Sequence, residues 1–175
     1  MTAPGDHIPT LSTARLTLRP HTMADAAPFA AFYASDRSRH MGGPMDAIGA
    51  WHQFGADVAH WTLLGHGPLA ITDAADGTFL GQVAILHPPH FPERELGWFV
   101  LPKAEGTGVA AEAAAALRDW CYRSVSPDPL VSYINRRNAR SIRLAERLGA
   151  VLDDDATPPF PVDGVWRHPG PGALH

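Results

Sequence analysis

Cysteine is almost missing from this chain. Cys121 stands alone among 175 residues, which excludes an internal disulfide and any cysteine-based zinc site. Lysine is as scarce, with Lys103 its single instance, so positive charge is carried by arginine. Basic residues number 14 against 18 acidic ones, a net charge of −4, which argues against nucleic-acid binding by bulk charge. No apolar run reaches membrane-spanning length, and the N-terminus lacks the apolar core of a signal peptide, so a cytoplasmic protein with no membrane partner is expected. Apolar residues are plentiful, at 45% against 18% charged. That composition supports a globular core, and the length suits one domain rather than two.

Hydrophobic periodicity orders the chain. Residues 1–10 read as a flexible, polar lead-in to a single domain over 11–175. Residues 11–19 alternate, with Leu16 and Leu18 on one face and Arg15, Thr17 and Arg19 on the other, as in a half-buried strand. Thr22 or Asp25 caps a helix over 26–34 with Phe29, Phe32 and Tyr33 as its apolar stripe. A second helix spans 47–63, where Trp51, Phe54, Val58 and Trp61 recur at helical spacing. Strands over 68–72 and 78–86 flank a turn-rich linker and read as a hairpin. Further strands are expected over 95–101, 130–134 and around Val165 and Trp166. One helix carries Val109, Ala113, Leu117, Trp120 and Cys121 on one side. Another opens at Asn138, buries Ile142, Ala145 and Leu148, and ends at Gly149. Strands and helices mix, so the fold class is α/β or α+β with a mixed sheet flanked by helices.

The densest signal lies between a strand and a helix. The run 95–101 ends at Pro102, and Gly106-Thr107-Gly108 precedes the alanine-rich helix that starts near Val109. This order leaves backbone N–H groups unpaired at a helix N-terminus, where the dipole favours an anion such as phosphate. Gly106-Thr107-Gly108-Val109-Ala110-Ala111 also satisfies the dinucleotide pattern G-x-G-x-x-A. That match is weak, because the pattern belongs to the first turn of a doubly wound fold. The Gly-Lys-Ser/Thr ending of a triphosphate loop is absent as well. A tight strand-to-helix turn holding no ligand is the plain alternative.

Four motifs in order make the chain resemble a known family. They are Thr13-Ala14-Arg15-Leu16-Thr17-Leu18-Arg19-Pro20, Glu95-Leu96-Gly97-Trp98-Phe99-Val100-Leu101-Pro102, Gly106-Thr107-Gly108-Val109-Ala110-Ala111-Glu112-Ala113, and Asn138-Ala139-Arg140-Ser141 through Leu148-Gly149-Ala150. From about residue 11 to 150 the chain resembles the GNAT superfamily of acyl-CoA-dependent N-acyltransferases, in particular its RimJ/RimL-type branch. The resemblance implies a mostly antiparallel sheet in which the strand 95–101 splays from the strand 130–134. It implies acetyl-CoA as cosubstrate, no metal, and an amine acceptor. Its pyrophosphate signature falls on Lys103-Ala104-Glu105-Gly106-Thr107-Gly108, with lysine where the family carries arginine or glutamine, and it makes Lys103, Gly106, Thr107, Gly108, Val109 and Ala110 cofactor-binding residues.

By the same resemblance, Phe99, Val100 and Leu101 offer main-chain contacts to the pantetheine arm, and Asn138 lies beside its amides. Glu95 faces the acceptor pocket as the general base, or else is an exposed strand-edge glutamate paired with Arg94. His87 and His90 are the other base candidates; the prolines between them oppose a metal site. The helix tyrosine that protonates the thiolate in many relatives is replaced by Ala145, so Ser141 is the candidate for that hydrogen bond. Glu105 and Glu112 flank the turn and would repel phosphate, unless Glu112 caps or pairs nearby. Among Arg136, Arg137, Arg140, Arg143 and Arg147 a few reach the cofactor phosphates and most form a solvated face. Trp51 and Trp61 read as core or as the floor of the acceptor pocket, and an exposed sheet edge near the tail permits a homodimer.

The leading function is an acetyl-CoA-dependent N-acetyltransferase acting by direct attack of a primary amine. A non-catalytic acyl-CoA-binding sensor or accessory domain is the alternative. A dinucleotide-binding oxidoreductase would need a strand and helix before the glycine turn that the pattern does not show.

Overall fold

A computed structural model describes residues 8–173. Residues 1–7 of the expected lead-in, and residues 174–175, lie outside the described residues. The strands are β1 (Leu11–Ser12), β2 (Leu16–Arg19), β3 (Pro68–Asp73), β4 (Phe79–Leu86), β5 (Glu95–Val100), β6 (Val131–Asn135), β7 (Val151–Leu152) and β8 (Asp163–Arg167). The helices are α1 (Met23–Tyr33), α2 (Ala47–Leu64), α3 (Val109–Ser124) and α4 (Ala139–Arg147). All eight strands form one sheet in the order β1-β2-β3-β4-β5-β6-β8-β7. Every neighbouring pair is antiparallel except β5 with β6, which run parallel. The mixed, mostly antiparallel sheet flanked by helices is the expected fold class.

Strand alternation sends side chains to opposite layers. Leu16, Leu18, Leu69, Ile71, Val83, Ile85 and Leu96 bury against Val109, Ala113, Leu117 and Cys121 of α3. On the other face, Phe29, Phe32 and Tyr33 of α1 and Phe54 of α2 join Phe79 and Phe99 in an aromatic cluster. Phe32 stacks on Phe99 with ring centroids 4.1 Å apart. Such aromatic pairs contribute about 1 kcal/mol beyond area burial. The helix ends follow from local chemistry. Thr22 and Asp25 form a capping box on α1, the Asp46 side chain accepts from the Gly49 N–H on α2, and Gly65 closes α2 at φ 71°.

Two expectations are corrected. Residues 11–19 form a hairpin rather than one strand. Thr13 closes it, donating its N–H to Leu16 O (2.9 Å) while its hydroxyl oxygen accepts from the Leu16 N–H (3.0 Å). Trp51, read as core or pocket floor, is 53% exposed, whereas Trp61 is 2% exposed and belongs to the core. The buried stripe of α2 is Ala50, Phe54, Asp57 and Trp61. A carboxylate therefore occupies a core position.

Gly81 sits where β4 meets β5 most closely. A Cβ built there lies 2.2 Å from the Phe99 carbonyl oxygen. Gly81→Ala must push the two strands apart, and overpacking of this kind costs about 1–3 kcal/mol. The expected outcome is a clearly lower urea midpoint for Gly81→Ala, with an unchanged slope.

Candidate active site

The sheet opens between β5 and β6. Their ladder holds a single pair, Glu95 opposite Val131, with the Val131 N–H donating to Arg94 O at 3.1 Å. One residue on, the Ser132 hydroxyl donates to Leu96 O at 2.6 Å, taking an acceptor that a continuing ladder would use. Because that hydroxyl hydrogen is committed, His168 Nε2, 2.9 Å away, is the donor to Ser132 Oγ. Burial holds His168 neutral, with its pKa pushed down to about 4. The Tyr133 N–H, next along β6, acts on the Glu95 carboxylate instead of on β5. Past this fork the strands part, and alternation turns the N–H and C=O groups of Trp98 and Val100 into the gap.

On the aromatic face beside the fork lies a cavity of about 110 Å³. Ala84 and Gly97 are cross-strand partners, and their small size leaves its floor open. Tyr33, Met41, Gln53 and Asp57 bound it from the α1–α2 layer, and Glu95 stands at its fork end. The Glu95 carboxyl lies over Gly97, where a built Cβ would be 3.6 Å from its Cδ. Burial pushes the Glu95 pKa up to about 8; the Tyr133 N–H opposes the shift, and the charges of Asp163 and Asp57 add to it. The folded chain thus holds a proton that the unfolded chain loses near 4.5. This group therefore subtracts stability as pH rises from about 4.5 to about 8. Glu95 faces the cavity rather than pairing with Arg94, whose guanidinium approaches Asp128 at 3.9 Å.

A larger groove of about 850 Å³ continues on the other side of the gap. It shares His40, Met41, Trp98, Phe99, Asn138 and Ser141 with the small cavity. Gly106 (φ 71°) and Gly108 (φ 83°) both take the left-handed conformation, which lets the chain enter α3 directly. The opening N–H groups of α3 have no carbonyl a turn earlier to receive them. The groove is ringed by Arg37, Arg39, Arg137, Arg140, Arg143 and Arg147. Arg136 turns away to Asp154 at 3.5 Å. Glu105 does not stand as a free negative charge here, because Arg37 and Arg140 both pair with it. Glu112 lies apart from the groove. It accepts from Thr13 Oγ1 (2.6 Å) and Arg15 Nε (2.8 Å), and Arg15 in turn donates to Thr107 O (3.0 Å), fastening the glycine turn to the β1–β2 hairpin.

Asn138 Oδ1 caps α4 by accepting from the Ser141 N–H (3.2 Å), and its Nδ2 donates to Ser141 Oγ (3.1 Å). The Ser141 hydroxyl hydrogen is therefore left to donate into the shared wall. The Leu101 N–H is spent on Leu80 O (2.8 Å), and Phe99 sets its main chain toward Gln82 of β4, so Val100 alone of the three faces the gap with its backbone. Gly106, Gly108 and Ala110 line the groove, while Val109 is a core residue. Thr107 folds its hydroxyl back onto Ala104 O (2.6 Å), and Lys103 acts on Asp76 of the β3–β4 turn. Ala145 is fully buried. Cys121 is buried with its thiol pushed up to about 11, which removes it as a nucleophile. His90 packs on Phe91 and Phe160. Among the described residues no three His, Cys, Asp or Glu side chains converge to hold a metal, and no helix is long and apolar enough to cross a membrane.

A parted parallel strand pair beside a glycine turn and an arginine-ringed groove can be compared with known domains. The model of the acetyltransferase (GNAT) domain matches residues 15–151. The chain belongs to the GNAT acetyltransferase family. The chain superposes on an acetyltransferase from Agrobacterium tumefaciens str. C58 with a TM-score of 0.89 and 47% identity, over 93% of this chain and 95% of that one. A GnaT-family acetyltransferase from Bordetella pertussis matches at 29% identity and a TM-score of 0.73, over 91% and 97%. Solved structures sharing the fold include RimJ/RimL-type enzymes, among them Mycobacterium smegmatis RimJ in complex with CoA-disulfide (21% identity, TM-score 0.69, 95% of this chain and 88% of that one). GNAT enzymes use acetyl-CoA, and the groove fits it: the open helix N-terminus and the arginines suit a diphosphate, and the parted strands suit an extended amide-bearing arm.

Two variants should separate the groove from the small cavity. Gly108→Val forces a β-branched residue to φ 83°, a strain of about 1–3 kcal/mol. It is expected to weaken CoA binding at least about tenfold by calorimetry. Ala84→Leu fills the floor of the cavity and is expected to leave CoA affinity unchanged while raising the acceptor KM.

Proposed function

We propose that this GNAT acetyltransferase is an N-acetyltransferase that moves an acetyl group from acetyl-CoA to a primary amine, on a protein N-terminus or a small molecule, by direct attack. One observation carries the reading: the Glu95 carboxyl and the Ser141 hydroxyl both border the small cavity, which shares a wall with the arginine-ringed groove. The amine arrives as an ammonium ion and must lose a proton before it attacks. Glu95, with its pKa raised to about 8, is matched to take that proton. The amine nitrogen then bonds to the acyl carbon as the carbon–sulfur bond breaks, and the second proton lost by the nitrogen passes to the departing thiolate. Main-chain N–H groups at the gap, at Trp98 and next to Phe99, meet the charge growing on the carbonyl oxygen, and fixed donors of this kind contribute about 3 kcal/mol each. Ser141, its oxygen already accepting from Asn138, gives a hydrogen bond to the departing thiolate. Lys103, Gly106, Thr107, Gly108, Val109 and Ala110 form the diphosphate turn, through main-chain groups and turn geometry rather than through the lysine side chain. Phe99, Val100, Leu101 and Asn138 flank the pantetheine path, with Val100 supplying the gap-facing backbone.

Thiol release from acetyl-CoA, followed over a panel of amines and N-terminal peptides, tests this reading. Amine-dependent release is expected to rise with pH through an inflection near 8, the deprotonation of Glu95. Glu95→Gln should lower kcat/KM about 100-fold and erase that inflection. Tight CoA binding with no amine-dependent release would instead support a non-catalytic acyl-CoA sensor.

A further inference from the structure

Asp57 enters the chemistry above only through its charge, which adds to the raised Glu95 pKa. It is 2% exposed and lines the small cavity. Its Oδ1 accepts from Gln53 Nε2 (2.8 Å) and its Oδ2 from Gln82 Nε2 (2.9 Å). The same Gln82 amide meets His21 through its Oε1, 2.8 Å from His21 Nε2. His21 rests 3.5 Å from Asp25, which Arg19 grips through both oxygens at 2.7 and 2.9 Å. A chain of contacts thus runs back from Asp57 to Arg19, with the Gln53 and Gln82 amides directed at its two oxygens. A carboxylate oxygen accepts about two hydrogen bonds, so one position on each oxygen is left for the cavity. Among the described residues no arginine or lysine pairs with Asp57. Taking an unpaired carboxylate out of water costs several kcal/mol, and burial pushes the Asp57 pKa up against the two amide donors. A cation entering the cavity removes that penalty.

The same cavity already holds Glu95 at the fork. Both carboxyl groups line one cavity of about 110 Å³, a space on the scale of a short aliphatic chain. We propose that the acceptor carries a second cationic nitrogen a short chain away from the one that is acylated, and that Asp57 receives it, so that small diamines are the preferred substrate class. The inference rests on the N-acetyltransferase reading and names the acceptor for that site. Asp57 acts as a specificity residue. It does not take the reacting proton.

Calorimetric titration of the protein–CoA complex tests this directly. The probes are α,ω-diamines of three to six carbons against n-alkylamines of the same lengths. At least one diamine is expected to bind about tenfold or more tighter than its monoamine. Asp57→Asn, which keeps the shape, should erase that preference and leave CoA affinity as it was. If Asp57→Asn does not fold, Gln53→Met keeps the carboxylate but removes one of its donors, and the preference should fall about threefold. The proposal is overturned if no diamine outbinds its monoamine in the wild type, or if the preference survives Asp57→Asn or, failing that, Gln53→Met. Running the same amines in the thiol-release assay separates the two readings. Diamine binding without thiol release defeats the transferase reading alone, whereas release with no diamine preference defeats this one alone.

Discussion

The structure turns on two parallel strands that meet at one residue pair and then separate. Glu95 and Val131 hold β5 to β6. Beyond them the next acceptor on β5, Leu96 O, is taken by a side chain, Ser132 Oγ. A parallel ladder that continued here would pair these main-chain groups between the two strands. By capping one carbonyl and diverting one N–H toward Glu95, the chain ends the ladder and leaves donors and acceptors facing a gap. Unpaired backbone is costly when buried, so such a gap calls for a ligand that can pair with it. The groove that runs from the gap to the glycine turn, past the arginines, gives an extended phosphorylated ligand that place.

The fork also sets the electrostatics. The groove side is positive, ringed by Arg37, Arg39 and the arginines of α4, in a chain whose net charge is −4. The cavity side carries the carboxyl groups of Glu95 and Asp57 on the aromatic face, and their pKa values are raised. A positive groove matches a polyanionic donor, and carboxyl groups able to give up their protons match a cationic acceptor on the other side of the same opening. The acidic side is held by the network from Arg19 through Asp25, His21 and Gln82. Its value lies in orientation, since a buried polar chain of this kind contributes little net stability yet fixes which way each amide points.

Much of this was legible in the residues. The alternation of Leu16 and Leu18, the stripe of Phe29, Phe32 and Tyr33, the Asn138 cap and the paired glycines each carry a local signature, and each appears where that signature puts it. Features that depend on tertiary placement were not legible. The α2 pattern admitted two stripes one residue apart, and the apolar choice through Trp51 and Val58 lost to one through Ala50 and Asp57, because the buried acid pairs with Gln82 on another element. An acid at a core position of an amphipathic helix was the available signal. Arg37 and Arg39 sit on the segment between α1 and α2, and only the fold carries them to the groove. Likewise Glu112 resembled a charge beside the phosphate turn until the β1–β2 hairpin took it up through Thr13 and Arg15.

Residue-resolved amide exchange on the free protein and its CoA complex tests the fork most directly. In the free protein the account predicts slow exchange at Phe99 and Leu101, whose N–H groups lie on the β4 side, and faster exchange at Trp98 and Val100. Adding CoA should slow Trp98 and Val100 selectively. Unchanged exchange at both positions in a complex that demonstrably binds CoA would contradict the claim that the parted strands receive the cofactor arm.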